Sequence, residues 1–304
     1  LSLLGEALNT NPPATLELRE LGKTGVRIPA IGIGTWRYSG GAAPIQAGLA
    51  LGARLIDTAE AYSTEEIVAQ AIRGIRKDIF LATKVSPRHF RYAEVIKSAD
   101  ESLRRLRTDY IDLYQLHWPN YTVPLEETMG AMEELVDRGK ARFIGVSNFM
   151  LRDLIKARKA LKRHELVSNQ VRYNLVDRTI EGGLLGYCQE MQITVIAHSP
   201  LAANFATIQA MDPEGILPSL AEIHSRTPAQ IAVNWCLSKQ GIVTIPRSHS
   251  AEHVKENSSA SDFKLSAHEL SLLESKIKFR KRGSFEIEIR RVARHALQVA
   301  GRDL

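Results

Sequence analysis

The stretch Ile79-Phe-Leu-Ala-Thr-Lys-Val85, followed by Ala93–Leu106 and then by Ile111-Asp-Leu-Tyr-Gln-Leu-His117, decides the fold. Its first and last parts are short and largely apolar, as strands buried on both faces should be. Its middle part places Val95, Ala99, Leu103 and Leu106 at helical spacing. Strand, helix, strand is the unit of a parallel sheet. The same rhythm runs outward in both directions. Further strands are expected at Ile31–Gly34, Leu55–Asp57, Phe143–Ser147, Val167–Val171, Thr194–His198 and Val243–Pro246. Helical patterns fall at Leu125–Val136, Leu151–Leu161, Leu184–Met191 and Ala229–Leu237. Thr227-Pro228 reads as a helix start, with Pro suited to the first turn. Ser63-Thr-Glu-Glu66 reads as a capping box, with Ser63 as cap and Glu66 reaching back.

Eight strands alternating with helices over some 230 residues predict an α/β fold, a single (β/α)8 TIM barrel. A doubly wound open sheet is the competing architecture. It lacks support, because Gly32, Gly34 and Gly40-Gly41 do not have the spacing of a dinucleotide fingerprint. The expected organisation is a lead-in over 1–15, the barrel over 16–279 and a tail over 280–304. The tail alternates basic and apolar residues and reads as a helix over the barrel or a lid on a pocket.

Composition narrows the function. The chain has 304 residues, 44% hydrophobic and 24% charged, ordinary values for a globular protein. Only two cysteines occur, Cys188 and Cys236, without ligand spacing. No disulfide framework and no metal are therefore expected, and a reducing, cytoplasmic setting is. No apolar run reaches the roughly 18–20 residues of a membrane helix. The first fifteen residues hold no Lys or Arg, so no basic start of a secretion signal is expected. The net charge of +6 is spread out, densest from Lys276 to Arg294. A solvated helix face explains it more simply than a nucleic-acid surface does.

In such a barrel the active site lies at the C-terminal strand ends. The polar residues there are Asp57 and the nearby Tyr62, Lys84, His117, Ser147-Asn148, Asn169-Gln170, His198-Ser199 and Arg247-Ser248. Lys84 stands out. A lysine among Ile79, Phe80, Leu81 and Val85 needs a partner if buried, or else it extends out of the barrel mouth. Asp57 on the adjacent strand is the expected partner. An ammonium beside the Tyr62 phenol favours the phenolate and lowers its pKa. The His117 imidazole can orient a carbonyl oxygen. Together these make a general acid aimed at a carbonyl. Carbonyl reduction also needs a hydride, which no side chain supplies, so a nicotinamide is implied.

Six segments fall in order at strand ends: Gly32-Ile-Gly-Thr-Trp36, Leu55-Ile-Asp-Thr-Ala-Glu-Ala-Tyr62, Ala82-Thr-Lys-Val85, Leu116-His-Trp-Pro119, Ile144-Gly-Val-Ser-Asn-Phe149 and Ile245-Pro-Arg-Ser248. In these the sequence resembles the aldo-keto reductase superfamily over roughly residues 16–277. The resemblance implies NADPH-dependent reduction of aldehydes or ketones to alcohols, NADH being a weaker cofactor. It implies Tyr62 as proton donor, Lys84 lowering its pKa, Asp57 pairing with Lys84, and His117 orienting the carbonyl. It places Ser147, Asn148 and Gln170 at the nicotinamide carboxamide, and Ser199 and Leu201 at the pyrophosphate and adenosine. Arg247 and Ser248 fall at the 2′-phosphate, and Glu256 and Asn257 at the adenine. Gly34, Thr35, Trp36, Asp57 and Ile245 are further expected cofactor contacts. Trp36, Tyr62, His117 and Trp118 line the expected substrate pocket.

The sequence departs from the family where His198 replaces a common Tyr on the nicotinamide ring. His253 stands where an Arg is common, and Arg247 replaces the commoner Lys. Selectivity is expected from the loops Trp118–Pro124 and Leu201–Gly215 and from the tail, through Trp118, Tyr121, Phe205, Met211 and Phe285. These suggest a small carbonyl substrate with an apolar body. Two other classes of function stand beside this one. A Schiff-base aldolase would use Lys84 as nucleophile. A non-catalytic subunit would bind NADPH without turnover.

Overall fold

The computed structural model of the protein describes residues 16–301. A short antiparallel hairpin, β1 (Leu18–Glu20) and β2 (Arg27–Pro29), comes first. Eight strands follow, all parallel and paired in sequence order: β3 (Ile33–Gly34), β4 (Leu55–Asp57), β5 (Phe80–Val85), β6 (Ile111–Leu116), β7 (Ala141–Ser147), β8 (Leu166–Arg172), β9 (Thr194–His198) and β10 (Ile242–Ile245). Closure comes from the first segment meeting the last. Gly32 N donates to Thr244 O at 2.8 Å, Thr244 N to Ala30 O at 2.8 Å and Gly34 N to Pro246 O at 3.1 Å. The expected (β/α)8 barrel is the observed fold.

The helices are α1 (Ala42–Ala50), α2 (Glu65–Ala71), α3 (Tyr92–Leu106), α4 (Leu125–Asp137), α5 (Leu151–Ala160), α6 (Leu184–Met191), α7 (Phe205–Gln209), α8 (Ile216–His224), α9 (Pro228–Leu237), α10 (Ala251–Ser258), α11 (Ala267–Lys276) and α12 (Ser284–Val299). Among the described residues, none is long and apolar enough to cross a membrane. The start at Thr227-Pro228 is realised, with Thr227 and Gln230 forming a reciprocal capping box on α9. The capping box expected at Ser63–Glu66 is not. Ser63 adopts a left-handed backbone (φ 56°), and Thr64 becomes the residue before α2. The Thr64 hydroxyl turns inward to the hydroxyls of Thr35 (3.0 Å) and Thr58 (2.8 Å) instead of capping. The tertiary contact between three buried threonines outcompetes the local cap. The expected lead-in over 1–15 lies outside the described residues.

Period-two alternation gives the barrel interior two layers. Leu55, Phe80, Ala82, Leu113, Ile196, Val243 and Ile245 form an apolar floor with Leu21 and Ile28 of the hairpin region. One step further along the inward rows stand Asp57, Lys84 and Gln115, all buried. Gly145 makes this possible, because a Cβ there would lie 2.5 Å from Ser168 Oγ and 3.0 Å from the Gln115 side chain. The hairpin plugs the lower end. Arg19 donates to the carbonyls of Leu237 (2.7 Å) and Ile242 (2.5 Å), and Gly22, at φ 55°, passes tightly over Val167.

The plug gives a direct test. Leu21 is fully enclosed in the floor, and Leu-to-Ala changes in cores cost about 2–5 kcal/mol. Leu21→Ala should lower unfolding stability by that amount in a urea titration. A loss below about 0.5 kcal/mol would mean that the hairpin does not close the core.

Candidate active site

Lys84 is completely enclosed (0% exposed) near the mouth end of β5. Its Nζ donates to Asp57 Oδ1 at 2.5 Å, to Thr58 O at 2.9 Å and to the Tyr62 hydroxyl at 3.4 Å. Three contacts fill the three donors of an ammonium. The second Asp57 oxygen accepts from Gln170 Nε2 at 2.7 Å and Gln115 Nε2 at 3.2 Å. The pair is therefore buried, charged and fully bonded. Burial pulls the Lys84 pKa down, but Asp57 and Tyr62 outweigh it and the net shift is upward. Lys84 is held as a cation.

Gln115 has no place in the sequence reading, although its signal was present. It stands two residues before His117, which follows β6 directly, so the period of two puts both on the same inward side.

Tyr62 sits in a single turn over Glu60–Tyr62, directly after β4. That turn is anchored by Glu60, whose Oε1 accepts from Ser86 N at 2.7 Å and meets His89 Nδ1 at 3.0 Å. The Tyr62 hydroxyl lies 3.2 Å from His117 Nε2, the two rings meeting edge to face. The expected lowering of the Tyr62 pKa is not the net result. Desolvation raises it by more than the Lys84 ammonium lowers it, and Asp57 adds a smaller upward push. His117 is driven down to about 3, by burial first and then by the charges of Lys84, His198 and Arg294. It is neutral at ordinary pH.

The polar residues of the next three strands interlock. Ser147 Oγ donates to Gln170 O at 3.0 Å, and Asn148 Nδ2 donates to His117 O and to Ser147 Oγ, both at 3.0 Å. Asn148 takes a left-handed backbone (φ 62°). Its Oδ1 meets His198 Nε2 at 3.1 Å, and His198 Nδ1 meets Ser199 Oγ at 3.1 Å. The amide of Asn148 is oriented by its two donated bonds, so its oxygen must accept from His198. Nε2 of His198 thus carries the proton and Nδ1 accepts from Ser199. Burial first, then Arg172 and Lys84, hold His198 down at about 3, which fits this neutral tautomer.

At the rim, Arg247 is exposed, with one bond to Arg37 O at 3.2 Å and no carboxylate at ion-pair distance among the described residues. Ser248 and Ser250 follow, Ser250 capping α10 by accepting from His253 N at 3.2 Å. His253 is exposed in that first turn. Glu256 is held by the Thr227 hydroxyl, and Asn257 is buried beside it in the same helix. Trp36 is 44% exposed, with the Arg37 guanidinium 4.6 Å from its ring centre. Leu201 packs on the core from the loop after β9. The side chains of Thr35 and Ile245 are enclosed, and Gly34 lies against Ile245 O, so these three offer little surface to the mouth.

Within the tail, α12 (Ser284–Val299) docks on the loop after His117. Gln298 accepts from Tyr121 N at 3.0 Å and donates to Pro119 O at 2.9 Å. Arg294 lies over the Trp118 ring at 4.0 Å. The Tyr121 hydroxyl donates to Asp153 at 2.8 Å. Phe285, expected to line the pocket, is 80% exposed and lines nothing. It belongs to an outward row on α12 with Ile289, Val292 and Val299, all exposed. The helical spacing that turns Arg291, Arg294 and Gln298 inward turns this row out.

With the geometry established, likeness to known proteins bears on it. The family model described as "Aldo/keto reductase family" matches residues 30–278. Methylglyoxal reductase YeaE of Escherichia coli (strain K12) is 38% identical over 259 residues, covering 82% of this chain and 91% of that protein. Among solved structures, the thermostable aldo-keto reductase Tm1743 in complex with the inhibitor epalrestat aligns with a TM-score of 0.81. The identity is 40%, over 86% of this chain and 99% of that one. An aldo/keto reductase from Klebsiella pneumoniae, in complex with NADP and acetate, aligns with a TM-score of 0.78 and 38% identity, over 85% of this chain and 95% of that one. Matched over most of its length by the family model and by a relative of near-equal extent, the chain belongs to the aldo/keto reductase family.

Proposed function

We propose that the protein reduces aldehydes or ketones to alcohols with NADPH, and that Tyr62 delivers the proton. One observation carries this reading: the Tyr62 hydroxyl stands between His117 Nε2 at 3.2 Å and the Lys84 ammonium at 3.4 Å. Bound NADPH supplies the hydride that goes to the carbonyl carbon, while the proton goes to the oxygen. The remaining steps belong to this chain. Burial keeps Tyr62 protonated at ordinary pH, which is the form an acid needs. When it gives up its proton, the phenolate forms beside a fixed ammonium, so its charge is stabilised without reorganisation. Asp57 keeps that ammonium in position. Neutral His117 donates one N–H to the carbonyl oxygen and brings no competing charge.

The residues fit NADPH. Among the described residues Arg247 has no carboxylate at ion-pair distance, and it stands at the rim beside the capped start of α10. A guanidinium can bind a phosphate bidentately. Ser147, Asn148 and Gln170 would hold the carboxamide, and His198, fixed at both ring nitrogens, would face the nicotinamide. The family match, a methylglyoxal reductase among the relatives and the NADP complex of the Klebsiella enzyme support the reading. The Schiff-base alternative is disfavoured by Lys84 itself. A nucleophilic amine must be neutral and accessible, whereas Lys84 is enclosed and shifted upward.

Tyr62→Phe should lower turnover by about 10²–10⁴-fold while NADPH still binds, measured by NADPH oxidation and by fluorescence titration. Near-normal turnover would remove Tyr62 from the role. Arg247→Ala should weaken NADPH by about 10- to 150-fold, the worth of a charge-assisted bond of about 1.5–3 kcal/mol. NADH should be nearly unaffected, and equal losses would show that Arg247 does not read the phosphate. His253→Arg should tighten NADPH selectively, since it adds a permanent charge in the same turn.

His117, held down at about 3, should leave no inflection at its ordinary pKa of about 6.5. The profile of kcat/KM at saturating cofactor should therefore run level through that region. An inflection there that vanishes in His117→Gln would mean that His117 titrates and acts as a charged group.

A further inference from the structure

The tail arginines differ in one respect. Arg280 pairs with Glu286 at 2.5 Å, Arg282 with Asp177 at 3.1 Å, Arg290 with Glu286 at 3.0 Å and Arg291 with Glu288 at 2.6 Å. Arg294 has no such partner. Among the described residues no carboxylate lies within ion-pair distance of it and no acceptor takes its hydrogen bonds. It is nonetheless half-buried on the inner face of α12, its guanidinium carbon 4.0 Å from the ring centre of Trp118, the residue after His117. Its position is fixed by neighbours on both sides. Gln298, one turn on, clamps the backbone of Pro119 and Tyr121, and Arg291, one turn back, lies 5.4 Å from the Tyr121 ring centre.

We infer that Arg294 is a substrate-binding residue, and that the enzyme takes carbonyl compounds carrying a carboxylate or a similar planar anion. This rests on the carbonyl-reduction reading and narrows it. Five guanidinium donors in a planar fork match a carboxylate bidentately. A half-buried guanidinium without acceptors gains most from an incoming anion, because part of its desolvation is already complete. Trp118 beneath it supplies an apolar face for the body of the substrate. The charge is felt at the reaction centre, since Arg294 contributes to the depression of His117. Asp153 is the acidic group facing this region, and its oxygen is already engaged by the Tyr121 hydroxyl. That carboxylate itself lies above its ordinary range, burial being the main cause. It acts on Arg294 from a distance and makes no ion pair with it among the described residues.

The test uses the full chain with NADPH and two aldehydes of similar shape, 4-carboxybenzaldehyde and 4-methylbenzaldehyde. The wild type should favour the carboxylate in kcat/KM. Arg294→Gln should reduce the ratio of the two kcat/KM values by about 10- to 150-fold, chiefly through KM of the carboxylate. Arg294→Lys should recover part of the ratio, keeping the charge but not the fork. A wild type that prefers the methyl compound, or a ratio unchanged in Arg294→Gln, would overturn the inference. So would an equal loss on both aldehydes, which marks a packing role. Calorimetric titration with benzoate separates this inference from the reading beneath it. If neither aldehyde is reduced, benzoate binding that is lost in Arg294→Gln still supports an anion site. Benzoate that fails to bind the wild type, or binds both proteins equally, overturns it.

Discussion

The ion pair between Asp57 and Lys84 is the constraint on which the site is built. Two charges inside a barrel must find each other and satisfy every remaining donor and acceptor, since removing one partner of a buried pair costs about 3–5 kcal/mol. Here β4 and β5 are adjacent and in register, with Asp57 beside Ala82 and Lys84 one step beyond. Lys84 spends its donors on Asp57, Thr58 O and Tyr62, and Asp57 spends its second oxygen on Gln115 and Gln170. The pair thereby ties together the three neighbouring strands β4, β5 and β6 and, beyond β7, the strand β8. Gly145 on the intervening β7 leaves the room for Gln115.

From this pair the position of Tyr62 follows. The third Lys84 contact fixes the phenol from one side, and His117 fixes it from the other. Glu60 fixes the turn that carries it. Two opposed effects then act on the hydroxyl. Burial holds the proton on, and the ammonium pulls the other way, favouring the phenolate. A group in that balance is loaded at ordinary pH yet has a preorganised stabiliser for the anion it becomes. Removing Lys84 would disturb both the phenol and the buried Asp57, so it confounds chemistry with folding. Removing only the Tyr62 hydroxyl separates them.

The order of the strands was legible because each is a short apolar run ended by a polar residue at the mouth. Asp57, Lys84 and His117 were legible for a related reason: each breaks an apolar row at its inward, C-terminal end. The hairpin over Leu18–Pro29 escaped notice because its strands have three residues each and little periodicity. Ser63 misled because a local cap signal was overridden by the buried contacts of Thr64, which sequence spacing does not display. The Tyr62 shift misled for the opposite reason. The neighbouring charge was visible in the sequence, but the depth of burial was not. Phe285 was assigned to the pocket on residue type alone, and only the phase of α12 shows it facing outward. Gln115 shows the remaining gap: period two placed it correctly, but nothing in the sequence announced that Asp57 had a second oxygen to satisfy.

Lys84 and Arg294 obey one rule with different outcomes. An enclosed ammonium has no access to water, so the fold must provide all of its partners, and it does. A half-buried guanidinium keeps part of its hydration, so the folded chain tolerates it without an anion. Its cation–π contact with Trp118 holds it in place without using its hydrogen bonds. The first charge is thus fixed by the barrel strands and their own partners. The second is delivered by a helix added after the barrel closes, at residues beyond the stretch that matches the family model. On the proposed reading, the chemistry would rest on the strands and the selectivity on an appended helix, and the two could change independently. That separation would follow from where each charge is compensated, inside the protein for Lys84 and, on the inference above, by a bound anion for Arg294.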